Sequence, residues 1–111
     1  MKIALGTANF GQKYGLAKKN INSKKEIKKI LKFSKISNIK IIDTSGNYGS
    51  GESLLGSNDL KNFKVITKLK ISAKEKKKDS LESIVFNKIK TSLLKLNIKK
   101  LYAILLHSSD D

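Results

Sequence analysis

The chain has 111 residues, enough for one ordinary hydrophobic core, and neither cysteine nor proline, so no disulfide framework or cysteine-based zinc site is available. Its formal net charge is +15, and all 24 basic residues are lysine. With no arginine for bidentate phosphate or base contacts, and with isoleucine and asparagine also abundant, the charge reads as coding bias on a solvated surface rather than a nucleic-acid footprint.

The opening "MKIALGTANFG" is too short in apolar residues for a signal peptide, and no run approaches a membrane span, so a soluble cytoplasmic protein is expected. Four nearly all-apolar segments recur: Lys2–Leu5, Lys40–Thr44, Lys64–Lys68 and Leu101–His107. None alternates polar with apolar residues, which suits strands buried on both faces of a parallel sheet.

Between them lie helical patterns. The first is announced by "SKKE", where Ser23 can cap and Glu26 can reach back as a capping box. Its apolar stripe is Ile27, Ile30, Leu31 and Ile36, and Asn38 is a natural stop. A short helix is predicted over Gly51–Leu55, with Gly56 supplying a left-handed terminal turn. The run "AKEKKKD", Ala73–Asp79, reads as an exposed loop. A long helix follows from Asp79 or Ser80 to about Asn97, its apolar face made of Leu81, Ile84, Val85, Ile89, Leu93 and Leu96.

Strand, helix, strand, helix, strand, helix, strand implies right-handed crossovers and an α/β fold with a parallel sheet. An open dinucleotide-binding sheet would show G-x-G-x-x-G after its first strand, and "GTANFGQKYG" lacks that spacing, so a (β/α)8 TIM barrel is favoured. Barrel active sites lie at the C-terminal strand ends. Those ends here carry Gly6 and Thr7, then Asp43, then Lys68, then His107, with Tyr48 on the loop after the second strand. Each alone has an ordinary structural use: a turn cap, a packed ring, one lysine of many, a structural histidine. An acid, a phenol, an amine and an imidazole at one rim together make the inventory of a proton-transfer site.

The passages "LGTANFGQKYGL", "IIDTSGNYGSGESLLG", "VITKL" and "LLHSSDD" resemble the aldo/keto reductase family. The family pattern sets an aspartate five residues before a tyrosine, then a lysine ending the third strand and a histidine ending the fourth; the resemblance puts Asp43, Tyr48, Lys68 and His107 in those catalytic places. It departs slightly from the family in the residue inserted in "YGSGESLLG". The opening is similar to a bacterial branch linked to sugar or surface-polysaccharide metabolism. The resemblance implies NAD(P)H-dependent reduction of a small-molecule carbonyl compound, using NADP(H) or NAD(H) and no metal. Tyr48 would be the general acid, supported by Lys68 and Asp43, while His107 orients the carbonyl or assists the proton. Gly6, Thr7, Ala8 and Asp43 would be the cofactor-side contacts.

A whole barrel needs roughly 250 residues, and four strands are half of its eight. Residues 1–111 are therefore expected to form a partial reductase domain truncated after the fourth strand and inactive alone. Most of the family's nucleotide contacts belong to the other half. Two further readings stand beside this one: a non-catalytic half-barrel that binds a partner, and a lysine-rich nucleic-acid module. The second is weakened because the three tyrosines and four phenylalanines are not interleaved with the lysine runs.

Overall fold

The computed structural model describes residues 3–13, 15 and 21–108. Lys2, at the start of the first expected strand, and the closing Asp110 and Asp111 lie outside them. Eight elements follow in chain order: β1 (Ala4–Gly6), α1 (Lys24–Ile36), β2 (Ile41–Asp43), α2 (Gly51–Gly56), β3 (Lys64–Leu69), α3 (Ala73–Lys76), α4 (Leu81–Leu96) and β4 (Ala103–Leu106). The strands form one sheet in the order β1-β2-β3-β4 with every pair parallel. Four parallel strands with helices between them make part of a TIM barrel, as the order of apolar segments implies.

Strand parity sorts the side chains. Ile42 and Val65 are paired neighbours and both buried, and Thr67 and Leu69 follow on the same face of β3. That face meets the helices and holds the core of Phe10, Ile27, Leu31, Leu55, Leu60, Phe63 and Leu96. Gly6, Asp43, Ile66 and Ala103 are paired across the other face, which also carries Lys68 beside Leu105.

The expectation of burial on both faces fails for the outer strands. β4 leaves Ile104, Leu105 and Leu106 at 39%, 47% and 55% exposure, and Ala4 and Gly6 of β1 are exposed as well. A half-closed sheet offers its outer strands fewer neighbours on either side, so apolar sequence alone does not bury them.

Both long helices end as their asparagines imply. Asn38 and Asn97 take left-handed backbone at φ 58° and 53°, and each is followed by a residue whose N–H returns to the helix: Ile39 to the Ser34 carbonyl and Ile98 to the Leu93 carbonyl. Ser23 and Glu26 form the anticipated reciprocal capping box. Ile36, however, is 75% exposed and falls off the buried stripe of α1.

Two expectations need correction. The lysine run is not wholly loop: Ser72 and Glu75 build a second capping box and nucleate the short α3, which stays exposed. Gly56 does not turn left-handed, since α2 is closed by Ser57 in right-handed backbone. Its glycine is needed for another reason. A Cβ there would stand 2.0 Å from the Lys95 carbonyl oxygen and 2.7 Å from the Leu96 carbonyl carbon, so α2 and α4 touch backbone to backbone.

Candidate active site

β3 is twice as long as β2, so its inner-face Lys68 projects beyond the end of β2 and can reach back toward Asp43. It does so. Lys68 Nζ lies 2.5 Å from Asp43 Oδ1 and donates to the Thr44 carbonyl at 3.2 Å. The pair is only partly wet, with 19% of the lysine side chain and 37% of the aspartate exposed, so it is screened less than a surface pair.

The loop from Thr44 to Ser50 is fixed from several sides. The Thr44 N–H donates to the Ile66 carbonyl, and the Gly46 N–H and Ser45 hydroxyl reach the Lys68 carbonyl at 3.3 Å. A reverse turn then brings the Tyr48 N–H back to the Ser45 carbonyl. The loop after β1 presses on it from outside. Gly49 has φ +55°, and a Cβ on it would lie 2.4 Å from the Gly11 carbonyl oxygen; one on Gly11 would lie 2.2 Å from the Tyr48 carbonyl oxygen. Glycine at both places lets two backbones touch and sets where the tyrosine stands.

The ring of Tyr48 is thereby held with Lys68 Nζ 5.5 Å from its centroid and the His107 ring edge-on at 6.4 Å, planes at 77°. His107 follows β4, its N–H extending the ladder to the Leu69 carbonyl. The four residues named from the strand ends thus share one rim: Asp43 and Lys68 paired, Lys68 against Tyr48, and Tyr48 against His107.

The residues expected on the cofactor side are placed as follows. Gly6 pairs with Asp43, and nothing within 4 Å would meet a side chain at Gly6, leaving open space over the strand end. Thr7 is buried, and both its N–H and its hydroxyl donate to the Asp43 carbonyl at 3.1 Å, so its side chain splices β1 to β2. Ala8 is half-buried in the turn that follows. Asn9 Oδ1 nearby is buried without a hydrogen-bond donor. An open floor beside a carboxylate would admit a flat ring such as a nicotinamide.

The rim also holds residues outside the set named from the strand ends. Gln12, Asn47 and Lys70 line, with Tyr48 and His107, a cavity of about 370 Å³ at the rim. Ser45 touches His107 Nδ1 at 3.3 Å. Glu52, 2% exposed on α2, accepts from the Thr67 hydroxyl at 2.7 Å and ties that helix to the strand bearing Lys68. In sequence Glu52 is marked only by its place in "GESLLG" and Ser45 only as a loop hydroxyl able to satisfy backbone groups; Gln12, Asn47 and Lys70 carry no mark, because their contacts depend on tertiary placement. Among the described residues no cluster of three or more histidine, cysteine or acidic side chains is suited to a metal ion.

The family model described as aldo/keto reductase matches residues 2–111. No curated protein is matched significantly by the sequence. Two solved structures from Pseudomonas aeruginosa, PA4992 and a second chain, both provisionally named aldo-keto reductases, superpose with TM-scores of 0.78 and 0.76 at 23% and 22% identity. Each alignment covers 96% of this chain but only 42% and 40% of the neighbour. At that identity the neighbours establish the fold, and the family model, which spans nearly every residue, establishes descent. The chain belongs to the aldo/keto reductase family, in which it corresponds to the N-terminal part of the barrel.

Proposed function

We propose that these residues form the proton-transfer half of an NAD(P)H-dependent carbonyl reductase whose remaining strands carry most of the nucleotide site. The observation that supports it is the chain of contacts from Asp43 through Lys68 and Tyr48 to His107. A carbonyl accepting hydride needs a proton on oxygen, and a phenol gives one more readily when an ammonium steadies the phenolate it leaves. Lys68 provides that charge, and Asp43 Oδ1, 2.5 Å away, holds its Nζ in place. His107 completes the rim cavity beside the phenol, where it orients the carbonyl compound or assists the proton transfer. A reduced nicotinamide, when bound, supplies the hydride; Gly6, Thr7, Ala8 and Asp43 are the residues here that would flank its ring.

The substrate is a small aldehyde or ketone, in keeping with the polar lining of Gln12, Asn47 and Lys70, and a sugar-related carbonyl suits that lining. The protein works in the cytoplasm; no helix among the described residues is long and apolar enough to cross a membrane. Joining residues 1–108 to the C-terminal half of a reductase of proven activity tests this reading. NADPH-dependent carbonyl reduction is expected, and Tyr48→Phe lowers it by about 10²-fold or more. Reduction that Tyr48→Phe leaves unchanged would remove the phenol from the reaction.

A further inference from the structure

Ser45 is 1% exposed, and its hydroxyl oxygen meets the Asn47 N–H at 3.2 Å, the Lys68 carbonyl at 3.3 Å and His107 Nδ1 at 3.3 Å. A serine hydroxyl has one hydrogen to give and two lone pairs with which to accept. The Asn47 amide can only donate and takes one lone pair. The Lys68 carbonyl can only accept, so its contact uses the hydrogen. What remains for His107 is the second lone pair, and Nδ1 then has to bring its own proton. The other assignment gives the hydrogen to Nδ1, sets a lone pair against the Lys68 carbonyl and leaves Ser45 with an acceptor idle. His107 is exposed, so water serves its free nitrogen in either case, but Ser45 is buried, and there the idle lone pair facing the Lys68 carbonyl carries a cost that water does not relieve; the fully bonded arrangement is the more stable.

We infer that Ser45 is a positioning residue that holds neutral His107 as its Nδ1–H tautomer, leaving Nε2 as the unprotonated nitrogen. This goes beyond the family motif, which names the histidine but not the group that sets its protons. The tautomer separates two roles left open for His107. A neutral ring so held accepts a hydrogen bond at Nε2, from an alcohol or a phenol; it donates one to a carbonyl oxygen only as imidazolium. That consequence rests on the reductase reading, whereas the tautomer does not.

The chain contains one histidine, so the ring nitrogens of the intact 111-residue chain give one unambiguous set of signals in a long-range ¹H–¹⁵N correlation spectrum. At a pH where the imidazole is neutral, Nδ1 is expected to show the protonated-type shift and Nε2 the unprotonated type, the two told apart by their couplings to the ring hydrogens. Ser45→Ala removes the acceptor and moves the tautomer ratio toward Nε2–H by roughly two- to tenfold, the worth of one net hydrogen bond; Ser45→Thr restores it. A wild-type ring protonated mainly at Nε2 overturns the inference, and so does a folded Ser45→Ala chain with an unchanged ratio. Should Ser45→Ala fail to fold, the wild-type spectrum still decides. Neither readout involves turnover, so loss of the reductase reading leaves them standing and their failure leaves that reading intact.

Discussion

Backbone contact, rather than turn geometry, explains why residue 56 is glycine. Gly56→Ala would drive a methyl group into the Lys95 carbonyl, which belongs to a helix and cannot swing aside as a side-chain tip would. The two helices must separate, and overpacking of this kind costs about 1–3 kcal/mol. Urea denaturation should show that loss for Gly56→Ala, and an unchanged midpoint would mean that the helices are not in contact there. The same distinction marks what could be read from the chain. That Asp43, Tyr48, Lys68 and His107 would share one rim was legible, because the strand ends and the loop after the second strand are written in local sequence. The contacts of Ser45, Gly11 and Glu52 were not, because a hydroxyl on an imidazole, two touching backbones and a buried carboxylate come from segments far apart in the chain.

Among the elements, α3 shows how little sequence a helix needs. Five lysines in Lys70–Lys78 argue for a solvated loop, yet Ser72 and Glu75 satisfy each other's backbone N–H groups and close a turn. Glu75 also accepts from Lys88 of α4 at 2.8 Å, and that contact, followed by the bonds from Ser72, pulls its carboxyl from the usual 4.5 down to about 2. A carboxyl depressed on folding adds stability that is complete above its unfolded value and is lost as the pH falls through its folded one. The tie between α3 and α4 should therefore hold at neutral pH and fail between about 4.5 and 2. A ¹³C titration of the Glu75 carboxyl should find its midpoint near the lower limit, and Lys88→Ala should raise it. A midpoint at the usual value in the native chain would show that the pair does not form in solution. Helix ends elsewhere were legible for the reason that α3 was not: Ser23, Asn38 and Asn97 flank long periodic stretches, whereas α3 has no apolar face to announce it.

For the molecule as a whole, the order of elements in the sequence predicted the parallel sheet, but not how open its flank would be. Residues 101–108 contain no lysine in a chain that has 24, so β4 lacks the charged side chains that usually blunt an edge strand. With Leu105 and Leu106 about half exposed, the isolated chain is expected to self-associate as concentration rises. The +15 charge opposes this, so association should strengthen with added salt as repulsion is screened. Sedimentation velocity across protein and salt concentration measures it, with Leu106→Lys expected to reduce it; a monomer under every condition would contradict the assignment of an open edge.

The chain aligns with only 42% and 40% of its structural neighbours, and our account places the proton-transfer residues in this part and most of the nucleotide site in the remainder. The most direct measurement is steady-state NADPH oxidation with an aldehyde substrate, run on residues 1–111 alone beside the same residues joined to a C-terminal reductase half. Turnover is expected from the joined protein and none above background from the chain alone. Turnover by the isolated chain, abolished by Tyr48→Phe, would contradict it.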